Sequence, residues 1–142
     1  MGLNQALDIA LSAVNANRIH MEIISSNIAN INTTRTAAGG PYRRKVPVFG
    51  ERPLEFNQAL SAAERKLNGG IEVASITEDQ TPFSRVFNPG HPDADSEGFV
   101  SMPNVSLAKE TVDMVYVEKL YEANITVYST LKTMMQQTLQ IQ

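Results

Sequence analysis

The sequence predicts a mainly α-helical protein with a small β insertion, in which long N- and C-terminal helices pair as an antiparallel coiled coil. Two observations predict the helices. Apolar residues recur at alternating steps of three and four at both ends of the 142-residue chain, and both ends are almost free of Gly and Pro. A third predicts the insertion, because the middle alternates polar and apolar residues in short runs. The predicted parts are a helical one, residues 1–35 with 106–142, and a β-rich middle, residues 36–105.

The first helix is predicted from residue 2 to about residue 30. Ala, Leu, Met, Glu and Ile fill it, and all but Ile rank among the better helix formers. Asn, Ser and Thr crowd residues 25–34, where their side chains compete for backbone hydrogen bonds and end the helix. A predicted seam for packing against a partner helix runs along it, made of Leu3, Leu7, Ala10, Val14, Asn17, Met21, Ile24, Ile28 and Ile31.

The last helix is predicted from Leu107 to Ile141, with Ser106 as its N-cap. Its predicted seam consists of Val117, Leu120, Asn124, Val127, Leu131, Met134, Thr138 and Ile141.

An antiparallel alignment of the two seams places Val14 level with Val127 and Leu131. It also brings Asn17 beside Asn124, where the two amides can hydrogen-bond to each other. A buried Asn in such a seam commonly determines its register, so this pairing is a specific expectation.

The middle of the chain predicts a small antiparallel sheet of two to four strands, at residues 42–49, 71–79, 83–87 and 99–102. Pro47 limits the first strand to an edge, because proline cannot donate to a ladder. Residues 57–68 predict a short helix or an open loop. A sheet of this size is too small to be stable alone, so it needs cover from the helices or from neighbouring molecules.

Composition excludes several functional classes. The formal net charge of −3 argues against a nucleic-acid binder, and the one basic run, Arg43-Arg44-Lys45, is interpreted as a solvated strand flank. The absence of cysteine excludes disulfides and thiolate metal sites. No apolar run approaches the roughly 20 residues of a membrane span, and no cleavable secretory signal is recognisable.

One cluster imitates a metal site. The stretch from His91 to Gly98 places Asp93, Asp95 and Glu97 at the spacing that opens a calcium-binding loop. The twelfth position is an Asn instead of the bidentate Glu, and no helices flank the loop. A polar turn is therefore the favoured interpretation. Without a nucleophile–base pair or a phosphate-binding motif, the sequence predicts no enzyme, no cofactor and no small-molecule substrate.

Several short motifs do resemble a known family. Ile24 to Asn30 with Asn32-Thr33 resembles the signature of bacterial flagellar rod and hook proteins. The segments 33–45 and 79–95 narrow the resemblance to the proximal-rod C subunits of the flagellar basal body. The matching residues are Asn27, Asn30, Asn32, Thr33, Gly40, Pro41, Tyr42, Arg43, Pro89, Gly90, His91, Pro92, Asp93, Asp95, Pro103, Asn104, Tyr121, Glu122 and Asn124.

The resemblance implies a structural subunit of the drive shaft that transmits torque across the periplasm. It implies export by the flagellar type III apparatus without cleavage, and contacts with other rod subunits, with copies of itself and with the membrane-ring base. Two alternatives are another axial rod or hook subunit of the same architecture, and a small metal-binding hydrolase built on His91, Asp93 and Asp95.

Overall fold

The computed structural model describes residues 3–52 and 69–140, with two long helices at the ends and two small antiparallel sheets between them. This coarse architecture confirms the two predicted terminal helices and the small β insertion between them. The segment 57–68, predicted as a short helix or loop, lies outside the described residues. In chain order the elements are α1 (Leu3–Ala29), β1 (Lys45–Glu51), β2 (Ile71–Glu78), β3 (Ser84–Phe87), β4 (Phe99–Met102) and α2 (Leu107–Gln140).

Local hydrogen bonds mark the end of α1 and the start of α2. At the end of α1, the Asn30 side chain donates to the Ser26 carbonyl (2.9 Å), and the Thr33 hydroxyl donates to the Asn30 side chain (3.1 Å). The backbone N–H of Glu110 donates to the Ser106 carbonyl (2.9 Å), so Ser106 occupies the predicted N-cap position of α2. With 27 and 34 residues, the helices are about 40 and 50 Å long. Within the described parts of the chain, neither helix is long and apolar enough to cross a membrane.

The helices lie against each other, and residues later in α1 contact residues earlier in α2. Near the end of α1, the side chain of Asn27 bonds Glu110 in the first turn of α2. Earlier in α1, Asn17 lines a cavity together with Leu120 and Asn124 of α2. Asn17 and Asn124 therefore face the same space, although no hydrogen bond joins their amides in the described structure.

The stripe of α2 that is buried or half-buried differs from the predicted seam. It has the same alternating steps of three and four, but every second residue differs from the predicted seam. We call it the inner stripe, and its members are Glu110, Met114, Val117, Tyr121, Asn124, Tyr128, Leu131 and Met135. Leu120, Val127 and Met134 of the predicted seam remain exposed in this chain.

The helix α1 is covered on two faces. The predicted seam contributes Ala10 and Ile24 to the buried residues, whereas Ser12, Ala16, Ile23 and Asn27 are buried on an adjacent face. There the Ser12 hydroxyl accepts a hydrogen bond from the backbone N–H of Ile71 (3.0 Å), and the ring of His20 lies edge-on to Phe49 (5.5 Å). The second face therefore carries the sheet formed by β1 and β2.

In the described residues, the β region forms two separate two-stranded sheets. Strand β1 pairs antiparallel with β2 from Lys45↔Glu78 to Glu51↔Ile71, with a bulge after Val48, and β3 pairs antiparallel with β4. Each of these four described strands is therefore an edge, which explains why Pro47 is tolerated within β1. Gly70 has a positive φ (+101°), and a Cβ there would overlap the Ser12 side chain, so the sheet approaches α1 closely at this point.

Candidate functional site

A buried polar cluster joins the end of α1, the start of β1 and the start of α2. We call it the clasp and define it as Asn27, Tyr42, Arg44 and Glu110. Asn27 and Glu110 are 0 % exposed, and the Arg44 side chain is 12 % exposed. Buried polar groups are stabilising only when they are fully hydrogen-bonded, so their partners decide what the clasp does.

Asn27 uses its complete hydrogen-bonding capacity. Its Nδ2 donates to the Lys45 carbonyl (2.9 Å) and to Glu110 Oε2 (3.0 Å). Its Oδ1 accepts from the Tyr42 hydroxyl (2.9 Å) and from the Lys45 backbone N–H (2.9 Å). By bonding both backbone groups of Lys45, the amide substitutes for a neighbouring strand and attaches β1 to α1.

Arg44 connects the same strand to α2. Its Nε lies 2.6 Å from Glu110 Oε1, and its other nitrogens lie 3.3 Å from Asp113 and 3.9 Å from Asp79. Its backbone N–H donates to Asn104 Oδ1 (2.8 Å), and its carbonyl accepts from the Asp79 backbone N–H (2.8 Å). In the described residues no buried side-chain polar atom lacks a partner, so the clasp holds elements together and offers no free group for chemistry.

The loop that imitates a metal site has its carboxylates occupied. Asp93 accepts from the Thr34 hydroxyl (2.8 Å) and pairs with Arg35 (3.2 Å). Asp95 pairs with Arg85 (2.5 Å), and a hydrogen bond from the Phe99 backbone N–H holds the pKa of Asp95 below its usual value. Within residues 3–52 and 69–140 no three His, Asp or Glu side chains are arranged to hold a metal ion. The loop is a polar turn between β3 and β4.

The structure brings some of the motif residues together and leaves others apart. Asn27 and Tyr42 belong to the clasp, and Asn104 accepts a hydrogen bond from the backbone N–H of the clasp residue Arg44. The backbone N–H of Tyr42 donates to the Thr33 carbonyl (3.0 Å). Other positions lie in separate places: the turn 89–92 joins β3 to β4, Tyr121 belongs to the inner stripe, and Glu122 pairs with Lys119 (2.8 Å) on the surface of α2.

Two clasp residues, Arg44 and Glu110, are not among the motif and seam residues that the sequence predicts. The interpretation of the run Arg43-Arg44-Lys45 as a solvated strand flank is wrong for Arg44, because its side chain is largely buried and ion-paired. Glu110 lies seven residues before Val117 and so on the same side of α2. An acidic residue on an apolar stripe is the signal that identifies it as a buried partner.

A cavity of about 310 Å³ lies between the two helices and the first sheet. Its walls are mostly apolar, and they are formed by Ala13, Ala16, Asn17, His20, Phe49, Ile71, Tyr116, Leu120 and Asn124. Burial lowers the pKa of His20 below its ordinary 6.5, and the positive charge of Arg44 acts in the same direction. The carboxylates of Asp113 and Glu110 oppose this shift.

His20 should make the stability of the chain depend on pH. Because its folded pKa lies below the unfolded value of 6.5, the unfolded chain binds more protons as the pH falls through that value. The contribution of neutral His20 is therefore complete above pH 6.5 and is lost as the pH falls towards the folded pKa. We expect His20→Gln to reduce the fall in the free energy of unfolding between about pH 8 and about pH 5, measured by urea denaturation. The matched control is His91→Gln, outside the cavity, and equal slopes in the two variants would contradict the prediction.

Comparison with known proteins finds two matching family models and relatives that cover nearly the whole chain. A family model described as "Flagella basal body rod protein" matches residues 7–35, and one described as "Flagellar basal body rod FlgEFG protein C-terminal" matches residues 96–141. The chain is similar to proteins named flagellar basal-body rod protein FlgC from three organisms. Identity is 38 % with Borreliella burgdorferi (99 % of this chain and 98 % of the relative), 37 % with Bacillus subtilis (96 % and 95 %) and 39 % with Salmonella typhimurium (98 % and 97 %).

These relatives cover nearly the whole chain and confirm the resemblance noted in its motifs. The two family models match the parts of the chain that contain most of α1 and all of α2, the two helices that the clasp joins. The chain therefore belongs to the FlgC family of flagellar basal-body rod proteins, and it is a structural subunit of the rod and not an enzyme.

Proposed function

We propose that this subunit polymerises through its helices, with copies of itself and with other rod proteins, into a shaft that transmits torque across the periplasm. Its two helices form the inner, coiled-coil part (residues 1–35 and 106–142), and residues 36–105 contact neighbours further out. The observation that carries this proposal is an apolar stripe on α2 that stays largely exposed, although two of its members, Tyr116 and Leu120, also line the cavity against α1.

We call this surface the outer stripe, and it lies beside the inner stripe on α2. Its members follow one another at steps of four, four, seven and seven, which keeps them on one side of the helix. They are between 38 % and 68 % exposed: Val112, Tyr116, Leu120, Val127 and Met134. Exposed apolar side chains grouped on one side of a helix favour an interaction site in soluble proteins.

The antiparallel coiled coil is part of the same proposal. Contacts of α1 and α2 in opposite order support it, as does the three-and-four spacing of the inner stripe. Of the predicted seam on α2, Val117, Asn124 and Leu131 lie on the inner stripe, whereas Leu120, Val127 and Met134 lie on the outer one. We propose that the first set joins the subunit's own helices and the second joins neighbouring subunits.

Contacts of this type build a tube when they are heterologous. An outer stripe that binds a different face of the next molecule does not close a dimer, and repetition of such a contact produces a helical filament. Many shallow apolar contacts then share the shear load of a rotating shaft. Contacts with the membrane-ring base and delivery by the flagellar type III apparatus, without signal cleavage, are further proposals that rest on the family resemblance.

Thiol protection tests the proposal. Because the chain contains no cysteine, Val127→Cys introduces a single thiol on the outer stripe, and Glu118→Cys introduces one on the opposite side of α2. We expect Val127→Cys to react with a maleimide in the free subunit and at least about tenfold more slowly in isolated basal bodies, because burial blocks access to the thiolate. Equal labelling rates of Val127→Cys in the two states would overturn the proposal, and Glu118→Cys gives the loss caused by assembly in general.

A further inference from the structure

We propose that a cationic cleft beside the glycine turn at residues 36–41 binds a carboxylate of a second copy of this chain. The cleft has a volume of about 360 Å³, and its walls include Thr36, Gly39, Gly40, Arg43, Lys45 and Phe83. The choice of a second copy as the occupant rests on the proposed self-assembly. The chemistry of the cleft itself does not depend on the outer stripe.

The two cations of the cleft have no carboxylate partner among the described residues. They flank Arg44, on which three carboxylates converge. The guanidinium of Arg43 lies 4.3 Å from the centroid of the Phe83 ring, and within residues 3–52 and 69–140 its one hydrogen-bond acceptor is the backbone carbonyl of Asp79 (3.2 Å). The ammonium of Lys45 lies 5.8 Å from the centroid of the Tyr42 ring.

Aromatic rings hold these cations without neutralising them. A cation on a ring face gains some electrostatic stabilisation, yet it keeps its full positive charge, because the ring carries no net charge. Guanidinium donors match a carboxylate geometrically, and charge-assisted hydrogen bonds are about twice as strong as neutral ones. Among the described residues the cleft is lined by one carboxylate, Glu78, and it is the ladder partner of Lys45. With two cations and one carboxylate in its described walls, the cleft carries a net positive charge, which favours an anionic ligand.

The glycine turn leaves room for the ligand. Gly39 and Gly40 have positive φ values (+85° and +76°), and nothing lies within 4 Å of the position that a Cβ would occupy at either residue. The space beside their backbone is therefore open to an incoming group.

A second copy supplies suitable carboxylates. The chain has an excess of acidic residues, with a net charge of −3, and in its described part the exposed side chain of Asp8 forms no ion pair. Asp8 lies near the start of α1, whereas the cleft lies near the strand that Asn27 holds at the end of α1. A contact between opposite ends of two copies is heterologous and continues from molecule to molecule.

The test uses two doubly substituted full-length chains with the same change in net charge. Arg43→Glu with Lys45→Glu alters the cleft, and Lys109→Glu with Lys132→Glu alters exposed lysines elsewhere. Each ¹⁵N-labelled protein is titrated with a blocked tetraglutamate peptide, with a blocked tetralysine peptide as the reference, and is followed by amide chemical shifts. Self-association of the same proteins is measured by sedimentation velocity at low and high salt.

We expect the acidic peptide to shift the amides of residues 36–45 in the wild type and in the control variant. In the cleft variant we expect binding at least about tenfold weaker, together with weaker self-association at low salt. Equal peptide affinities in the two variants, or shifts located elsewhere, would overturn the cleft as a carboxylate site and leave the proposed rod assembly intact. If the wild-type protein bound the acidic peptide but did not self-associate, the proposal that a second copy occupies the cleft would be wrong.

Discussion

Replacing Glu110 by Ala should lower the free energy of unfolding by about 2–4 kcal/mol, because it removes the closest carboxylate of a largely buried cation and one of the two acceptors of a buried amide. Arg44 Nε would lose its closest contact, at 2.6 Å, and Asn27 Nδ2 would lose one of its two acceptors. For a chain of this length such a loss lowers the melting temperature by roughly 10 °C. Urea denaturation and thermal unfolding of the purified subunit measure both quantities.

A surface ion pair on the same helix provides the control for the Glu110 prediction. Glu122 contacts Lys119 at 2.8 Å, but both side chains are exposed, so Glu122→Ala should cost no more than about 0.5 kcal/mol. A double-mutant cycle with Arg44→Ala should show that the double variant loses less than the sum of the single losses. If Glu110→Ala were as stable as Glu122→Ala, the clasp would not hold the two helices together.

Aspartate on the outer stripe should abolish rod assembly and swimming while leaving the subunit folded. In Val127→Asp with Met134→Asp, both changes fall on side chains that are 50 % exposed in the isolated chain. The free energy of unfolding should therefore change by less than about 1 kcal/mol. In an assembled interface, the same carboxylates lose water without gaining a partner, which costs several kcal/mol per site. Swimming in soft agar, in a strain that lacks its own copy, measures the loss.

The opposite side of α2 offers a matched control for the outer stripe. Ser129 and Gln136 are also exposed and are also seven residues apart, so Ser129→Asp with Gln136→Asp adds the same charge at the same spacing. We expect this variant to swim. Normal swimming of the outer-stripe variant would contradict the proposed role of that surface, and equal loss in both variants would indicate a general effect of charge.

Much of the secondary structure follows from local chemistry and could be predicted. The absence of Gly and Pro predicts both helices, and Asn, Ser and Thr after Ser25 predict where the first one ends. Strand β4 occupies the predicted residues 99–102, and Pro47 lies in an edge strand as expected. The family motifs also lie in the sequence itself, and relatives from three organisms confirm the family that they indicate.

The sequence alone thus determined the helices, the short strands and the family, because each depends on residues close together in the chain. Only the tertiary structure decided which side of α2 is buried. Apolar residues stand side by side at 120–121, 127–128 and 134–135, so two stripes satisfy the same spacing. The bonds of Glu110 with Asn27, 83 positions away in sequence, and with Arg44, 66 away, turn one of them inward. Contacts over such separations arise from the folded backbone, and no local pattern in the chain contains them.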